Sequence, residues 1–236
     1  MGISKPLIVW TRLEGSIYDD EGNDISIGSD GSIYLIGNSS VAIFISKYDI
    51  DGNKIWTEVL NSLERKDYSY SIISEENGSI YITGTSYDDL NPKNSAYHNT
   101  FISKFDENGN NEWTEFRERS WSNYSAGIDE ASDGALYIIG SDVENDQSFL
   151  EEFDKDGNHI WTEYTNGLNI VEARGITISS DDSIFIVGQT HGDLDEQINN
   201  GGSDIFITKY DLDGQKEWKK VTIDGNVEAT ILGTTA

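Results

Sequence analysis

The sequence predicts an all-β fold, a β-propeller built from four-stranded antiparallel blades. A tryptophan recurs five times in one local context, at spacings of 46, 57, 48 and 57 residues. Between these tryptophans, an apolar run ending in glycine and then a phenylalanine strand recur four times. Repeats of roughly 40 to 50 residues with periodic glycine and aromatic residues are typical of propellers, whereas a solenoid, the alternative, usually has shorter repeats. The repeated positions are Trp10, Trp56, Trp113, Trp161 and Trp218, then Gly37, Gly84, Gly140 and Gly188, and finally Phe44, Phe101, Phe149 and Phe206.

Each repeat is predicted to hold four short strands, A to D in chain order. In the first repeat, strand A is DISIG, strand B is SIYLIG, strand C is IFISKYD and strand D is KIWTEVL. Strands B and C are rich in β-branched and aromatic residues, and turn signals separate them. Three A–B turns, SDGS, ENGS and SDGA, contain a glycine that tolerates positive φ, whereas the fourth, DDSI, has none.

The repeats differ in length at a single place. The tryptophan-to-glycine distance is 27 or 28 residues, and the phenylalanine-to-tryptophan distance is always 12. The glycine-to-phenylalanine distance, in contrast, is 7, 17, 9 and 18 residues. Insertions confined to one loop per repeat mark one face of the array, often the binding face. The B–C loops are therefore predicted to form the face that recognises a ligand.

The segment between strands C and D recurs as YDIDGNKIW, FDENGNNEW, FDKDGNHIW and YDLDGQKEW. An EF-hand does not fit, because glycine is fourth from the first aspartate instead of sixth and no glutamate stands at position 12. An aspartate box does not fit either, because the glycine is one residue too far from the tryptophan. A hairpin turn with aspartate and asparagine oxygens on backbone N–H groups explains all four copies, with weak cation binding as the alternative. The repeated aromatic residues, Tyr34, Tyr81, Tyr137 and Phe185 besides the tryptophans, are predicted to pack between blades.

A single propeller domain is predicted over residues 1–236. It comprises four complete repeats plus a split or incomplete fifth blade. An outer strand at the N-terminus could close the ring, but strands B and C of a fifth blade are missing. Open strand edges would favour self-association. The repeats span approximately 14–60, 61–117, 118–165 and 166–222, with an outer strand at 5–13 and a partial repeat at 223–236.

These repeats resemble the bacterial β-propeller repeat called SBBP, the seven-bladed β-propeller repeat. The resemblance is carried by GSIYITGTS at 78–86, FISKFDENGNNEW at 101–113 and HGDLDEQINNGGSDIFITKYDLDGQKEW at 191–218. It covers nearly the whole chain and implies a propeller in a secreted or surface-associated bacterial protein. It implies no activity, because the family has no shared catalytic motif. The chain departs from the pattern in blade number, at its ends, and in FLEEFD, where lysine is usual.

The composition excludes several classes of partner. Asp and Glu number 43 against 16 Lys and Arg, a net charge of -27, which repels nucleic acid and anionic membranes. No stretch is long enough to span a membrane as a helix. The absence of cysteine excludes disulfides and cysteine-based zinc sites. The N-terminal apolar run is too short for a signal peptide. The expectation of an extracellular or cell-surface location rests on the resemblance alone, with a cytoplasmic location as the alternative.

The sequence predicts a non-catalytic binding or scaffold protein that recognises a glycan or a protein. The three histidines lie in separate repeats, and no nucleophile, phosphate-binding or dinucleotide-binding motif occurs. One alternative is a self-assembling structural module without a small ligand. Another is a polysaccharide-acting enzyme that uses carboxylates at the mouth of the central channel. No cofactor is predicted, and calcium is an open alternative.

Candidate binding residues are those that do not repeat. Trp121 lies outside the register, near Tyr124, where an aromatic ring could stack on a sugar. The long B–C loops, TSYDDLNPKNSAYHNT and QTHGDLDEQINNGGSD, hold further aromatic and histidine residues, and also oxygen ligands suited to calcium. The ligand-binding candidates are Trp121, Tyr124, Tyr87, Tyr97, His98 and His191, and the calcium candidates are Asp193, Asp195, Asn200 and Asp204, with Asp88 and Asp89 in the other loop.

Overall fold

The structure, a computed structural model, describes residues 10–40, 42–61, 67–86, 99–117, 123–166, 169–199 and 201–222. These residues form sixteen strands in four antiparallel sheets of four, which confirms the predicted four complete blades. Within these ranges no helix is long and apolar enough to cross a membrane. The strands are β1 Asp20–Ile27, β2 Ile33–Ser39, β3 Ala42–Tyr48, β4 Lys54–Asn61, β5 Tyr68–Ser74, β6 Ile80–Ser86, β7 Asn99–Phe105, β8 Asn111–Arg117, β9 Asn123–Glu130, β10 Leu136–Asp142, β11 Gln147–Phe153, β12 His159–Asn166, β13 Val171–Ile178, β14 Ile184–Thr190, β15 Asp204–Tyr210 and β16 Lys216–Thr222.

Each sheet is a blade whose four strands lie side by side in chain order. The first strands of successive blades pack on one another, β1 on β5, β5 on β9 and β9 on β13, so they form the inner ring of the array. Comparable packing of β13 on β1 is not found in the described part of the chain. Residues 10–13 of the predicted outer strand pair with no described strand, while 5–9 and 223–236 lie outside the described residues.

The core is made at the boundaries between blades. Three clusters of buried apolar side chains fill the boundaries between blades 1 and 2, 2 and 3, and 3 and 4. Strands β6 and β10 of the two middle blades are buried along their whole length. The predicted packing of Tyr34, Tyr81 and Tyr137 between blades is confirmed, since each is at most 2% exposed. Phe185 is only half-buried, because no described blade covers that side of blade 4.

The tryptophans of the outer strands β4, β8 and β12 pack on the C–D turns of the following blades. Trp56 donates a hydrogen bond from Nε1 to the carbonyl oxygen of Glu107 at 3.2 Å. A Cβ added to Gly109 in the same turn would lie 3.2 Å from the Trp56 ring. The turn therefore needs a glycine both for its positive φ of 86° and for the ring above it. The same stacking joins Trp10 to Gly52, Trp113 to Gly157 and Trp161 to Gly214, while the side chain of Trp218 lies outside the described part.

The aspartates of these turns hold the backbone, as predicted. Asp49 accepts hydrogen bonds from the backbone N and the Nδ2 of Asn53, both at 2.8 Å. The Asn53 side chain and backbone donors lower the pKa of Asp49. In the fourth A–B turn, Asp182 adopts a φ of 60° without a glycine, and its carboxylate accepts hydrogen bonds from Ser132 in the neighbouring blade.

All four inner strands carry a β-bulge at the same position. In blade 3, Gly140 pairs with Ser125 and its neighbour Ile139 pairs with Gly127, so Ala126 is an extra residue. A Cβ at Gly140 would lie 2.2 Å from the Tyr124 carbonyl oxygen, so only glycine admits this close approach. Bulges redirect side chains, and they often occur beside functional sites. The extra residues are Asn23, Tyr70, Ala126 and Arg174.

Candidate ligand-binding site

The B–C loops and the connections between blades leave the array at one edge. Strand β9 begins at Asn123, which pairs with Asp142 at the end of β10. The B–C loop at 143–146 therefore begins beside the end of the connection between blades 2 and 3. We call this edge the loop face, defined by the ends of the B strands and the starts of the A strands. The opposite edge, the turn face, carries the A–B and C–D turns.

A cavity of about 390 Å³ lies among the inner strands of blades 2, 3 and 4. Three of its lining residues, Tyr70, Ala126 and Arg174, are the extra residues of their bulges. The bulges thus place chemically different side chains at one repeated position, beside a common space. We call this space the inner-strand cavity. Its polar lining comes from Tyr70, Tyr124, Ser125, Ser141, Glu172 and Arg174.

One charged pair lies at this cavity. Arg174 Nη2 donates to Glu172 Oε2, and Gln189 Nε2 donates to the same oxygen at 2.8 Å. The Arg174 side chain is nevertheless 63% exposed, so most of its N–H donors face solvent. Glu172 is therefore oriented by two donors, while the guanidinium keeps donors for a ligand.

The cavity also offers hydroxyl groups. Burial raises the pKa of Tyr70, so its phenol is protonated and can donate a hydrogen bond at neutral pH. Ser125 is 1% exposed, and among the described residues its Oγ has no hydrogen-bond partner. Such a buried hydroxyl costs about 1–3 kcal/mol when it is left unsatisfied. A ligand or a water molecule in the cavity would satisfy it.

The structure places only some of the predicted binding residues. Tyr124 lines the inner-strand cavity. His191 is exposed at the end of β14, with its backbone N donating to the Ile170 carbonyl oxygen at 3.0 Å. The predicted residues Trp121, Tyr87, Tyr97, His98, Asn200, Asp88 and Asp89 lie outside the described residues.

The proposed calcium ligands in the fourth B–C loop already have protein contacts. Asp193 Oδ1 accepts a hydrogen bond from the Asn199 backbone N at 2.7 Å. Asp195 pairs with Lys216 at 2.6 Å, and Asp204 is buried at the start of β15. In the ranges that the structure describes, no group of three or more His, Asp or Glu side chains could hold a metal ion. Calcium binding by this loop stays a prediction that depends in part on Asn200.

Sequence reasoning missed Tyr70, Glu172 and Arg174 as binding candidates. All three lie in inner strands, whereas the predicted binding residues came from the loops and the connections between strands. Alignment of the four A strands on the residue that pairs with the B-strand glycine would have found the signal. At the next position the repeats carry Asn23, Tyr70, Ala126 and Arg174. A position that only packs the repeats together would not need four such different side chains.

A second polar site lies on the turn face, between blades 2 and 3. A groove of about 730 Å³ is lined by Glu75, Glu130, Tyr81, Lys104 and Lys155, among others. Burial raises the pKa of Glu130 to about 7, and the hydrogen bond and charge of Glu75 add to this effect. The Glu130 carboxyl group therefore keeps its proton up to near-neutral pH and hydrogen-bonds to Glu75. Sequence analysis did not pair them, because they belong to different repeats.

The raised pKa of Glu130 makes stability at this boundary depend on pH. The pKa of Glu130 is higher in the folded state than its ordinary value of 4.5. Ionisation therefore destabilises the folded state as pH rises from about 4.5 to 7, and the penalty persists above that range. We expect Glu130→Gln to raise the free energy of unfolding by about 1–2 kcal/mol near pH 8, after allowance for solvent screening, and to change it little near pH 4.

Urea unfolding across this pH range measures the effect. Glu144→Gln is the matched control, because Glu144 is exposed in the B–C loop of blade 3 and should give no pH-dependent difference. A Glu130→Gln variant that differs from the wild type by the same amount at both ends of the range would contradict the raised pKa of Glu130.

Comparison with known proteins identifies the fold. No family model matches the chain, and no curated protein matches it. Among solved structures, a protein of unknown function from Dyadobacter fermentans has a TM-score of 0.58 at 10% identity, covering 89% of this chain and 65% of that one. A thermostable family-43 glycoside hydrolase has a TM-score of 0.53 at 12% identity, with 90% and 75% covered. A catalytically inactive virginiamycin B lyase from Staphylococcus aureus has a TM-score of 0.52 at 11% identity, with 91% and 73% covered. At these identities the likeness shows a propeller-type fold alone.

Proposed function

We propose that this protein is a non-catalytic binding propeller that takes a neutral glycan at the inner-strand cavity. The observation that carries the proposal is the convergence of aromatic rings, a largely exposed guanidinium and a buried hydroxyl on one space of about 390 Å³. Small-ligand sites in proteins are commonly concave, with a few convergent polar groups.

The chemistry of the cavity fits a sugar ring. Tyr70 and Tyr124 offer aromatic surfaces for the apolar face of a pyranose, and tyrosine combines such a surface with a polar end. Arg174, Ser125 and the Tyr70 phenol can hydrogen-bond to ring hydroxyl groups. The net charge of -27 opposes a polyanionic ligand, which favours a neutral glycan.

The arrangement of carboxylates favours binding over hydrolysis. Among the described residues that line the cavity, Glu172 is the one carboxylate, and Arg174 and Gln189 both donate to it. Glycoside hydrolysis usually requires two carboxyl groups about 5–9.5 Å apart. The Glu75 and Glu130 pair lies on the turn face, away from this cavity. A polysaccharide-acting enzyme is the second candidate, since a family-43 glycoside hydrolase has the same fold type, but fold does not imply function.

Binding measurements with cavity variants test the proposal. We expect Tyr124→Ala to weaken binding of a neutral oligosaccharide, found by glycan-array screening, about tenfold by calorimetry, because the aromatic platform is lost. Arg174→Ala should weaken it by a similar factor. Tyr18→Ala, which removes an exposed tyrosine far from the cavity, is the control and should bind like the wild type.

Two results would contradict this function. One is unchanged affinity in both cavity variants. The other is turnover of a polysaccharide that is lost in Glu130→Gln, which would favour an enzyme acting at the turn face.

The repeat pattern supports assignment to bacterial SBBP-type propellers and, with it, a secreted or surface-attached location. Antibody labelling of intact and lysed source cells tests the location. Labelling only after lysis would place the protein inside the cell.

A further inference from the structure

The first blade has an open apolar face on its inner strand. Ile25 is 61% exposed, whereas Ile72 and Ile128, at the same position of blades 2 and 3, are 3% and 4% exposed. The difference arises because the preceding blade covers Ile72 and Ile128, each of which belongs to a cluster shared with that blade. The open face of blade 1 therefore has the composition of a blade boundary without the covering blade.

The fourth blade has the complementary open face. Val187 is 42% exposed and Ile205 is 60% exposed, whereas Ile36 and Ile43, at the same positions of blade 1, are fully buried. Ile36 and Ile43 pack against blade 2, the following blade. The open side of blade 4 is thus the side that receives a following blade, and the open side of blade 1 is the side that receives a preceding one.

We propose that these faces are the two halves of one blade boundary, completed between copies of this chain, with blade 4 of a second copy seated on blade 1. The boundary would continue the interface already made three times within the chain. Such a head-to-tail contact is heterologous, so it gives a closed ring or an open filament according to its rotation. This inference does not depend on the proposed glycan binding.

Residues 10–14 lie where the outer strand of the incoming blade would lie. Trp10 stacks on Gly52 and donates from Nε1 to the Ile50 carbonyl oxygen at 3.1 Å, the same contacts that Trp56 makes with the next blade. Four residues later, Glu14 accepts a hydrogen bond from Ser46 at 2.7 Å. Docking of blade 4 exchanges this segment for β16, which has a tryptophan at the same repeat position, 218.

A space beside this segment has room for side chains of the incoming blade. A cavity of about 270 Å³ lies between residues 10–14 and the open face of blade 1. Its apolar lining includes Leu13, Ile25, Ile33 and Leu35. The segment thus covers the outer part of the face and leaves the inner part for another sheet.

Sedimentation of face variants tests the association. The wild type should show a concentration-dependent mass above the monomer value of 26.3 kDa. Ile25→Glu and Val187→Glu should each lower the association constant at least about tenfold, because each buries an unpaired charge in the contact. Ile160→Glu is the matched control, since Ile160 is 53% exposed on an outer strand of a middle blade.

An equimolar mixture of Ile25→Glu and Val187→Glu separates this geometry from others. Each variant keeps one intact face, so the mixture should form a heterodimer that neither variant forms alone. A wild type that remains monomeric at all soluble concentrations would overturn the proposal. So would a mixture without heterodimers, or association of Val187→Glu equal to that of the wild type.

The exchange of residues 10–14 has its own test. Trp10→Ala should tighten the association, because it frees the Gly52 turn for the incoming tryptophan. Weaker association of this variant would overturn the exchange and make the segment part of the contact.

Discussion

Gly140→Ala is expected to lower the free energy of unfolding by about 2–3 kcal/mol, since no relaxation of a side chain alone can admit the added methyl group. The new Cβ would lie 2.2 Å from the Tyr124 carbonyl oxygen and 2.3 Å from the Phe149 ring. The ring could shift, but the carbonyl belongs to the bulge that sets Ala126 between two paired residues. The substitution therefore forces either the bulge or the sheet to move.

Urea unfolding of Gly140→Ala and a matched variant measures this effect. Gly22→Ala is the control, because Gly22 is also a strand glycine but its added Cβ would meet only Leu35 Cδ1 at 3.7 Å. We expect the control to change stability by less than about 1 kcal/mol. Equal destabilisation by the two variants would mean that the loss comes from strand glycines in general and not from the bulge.

The repeat period made the blades predictable from sequence. Fixed spacing from tryptophan to glycine and from phenylalanine to tryptophan requires a repeated unit of structure. Alternation and turn signals then assign four strands to each unit. The C–D turns followed from local chemistry, because Asp49, Gly52 and Asn53 interact within five residues. Predictions were thus accurate where the deciding contacts are local or are repeated.

The candidate site depends on contacts between blades, which the sequence does not encode locally. Tyr70, Tyr124 and Arg174 come from three different repeats and meet only because the inner strands pack side by side. The B-strand glycine indicates that two backbone segments approach each other closely. It does not by itself indicate that the bulge beside it directs Tyr70 and Arg174 towards a common cavity. The prediction that Phe185 packs between blades failed for a related reason, since its burial depends on a blade that would follow blade 4.

The third repeat departs from the pattern at a second position of FLEEFD, and this departure has its explanation across a blade boundary. Glu151 stands where the other repeats have Ser46, Ser103 and Thr208, and it is fully buried. Arg117 of the preceding blade donates from Nε to Glu151 Oε1 at 3.2 Å, and Thr162 donates to the same oxygen at 2.9 Å. The unusual glutamate is thus matched by an unusual arginine four residues after Trp113.

Arg117→Leu is expected to lower the free energy of unfolding by about 3 kcal/mol at neutral pH, because it removes the permanent cation beside the buried Glu151 carboxylate and leaves His159, 3.5 Å from Oε1, which is a cation only when protonated. The guanidinium is 30% exposed and the carboxylate is 0% exposed, so solvent cannot replace the lost cation. Arg174→Leu is the control for arginine removal. Its pair with Glu172 is largely exposed, so stability should change by less than about 1 kcal/mol.

The boundary between blades 1 and 2 shows which uncharged residues can replace the Arg117–Glu151 ion pair. There Leu60, four residues after Trp56, takes the place of Arg117, and Ser103 takes the place of Glu151. The double variant Arg117→Leu with Glu151→Ser reproduces that boundary, and we expect its stability to lie within about 1 kcal/mol of the wild type, because a buried ion pair often adds little over an uncharged pair. If the double variant were as unstable as Arg117→Leu alone, the loss would come from the packing of the arginine stem on Phe153, whose ring centre lies 5.9 Å from the guanidinium. Full recovery would instead assign the cost to the unpaired carboxylate and would explain why both residues depart from the repeat together.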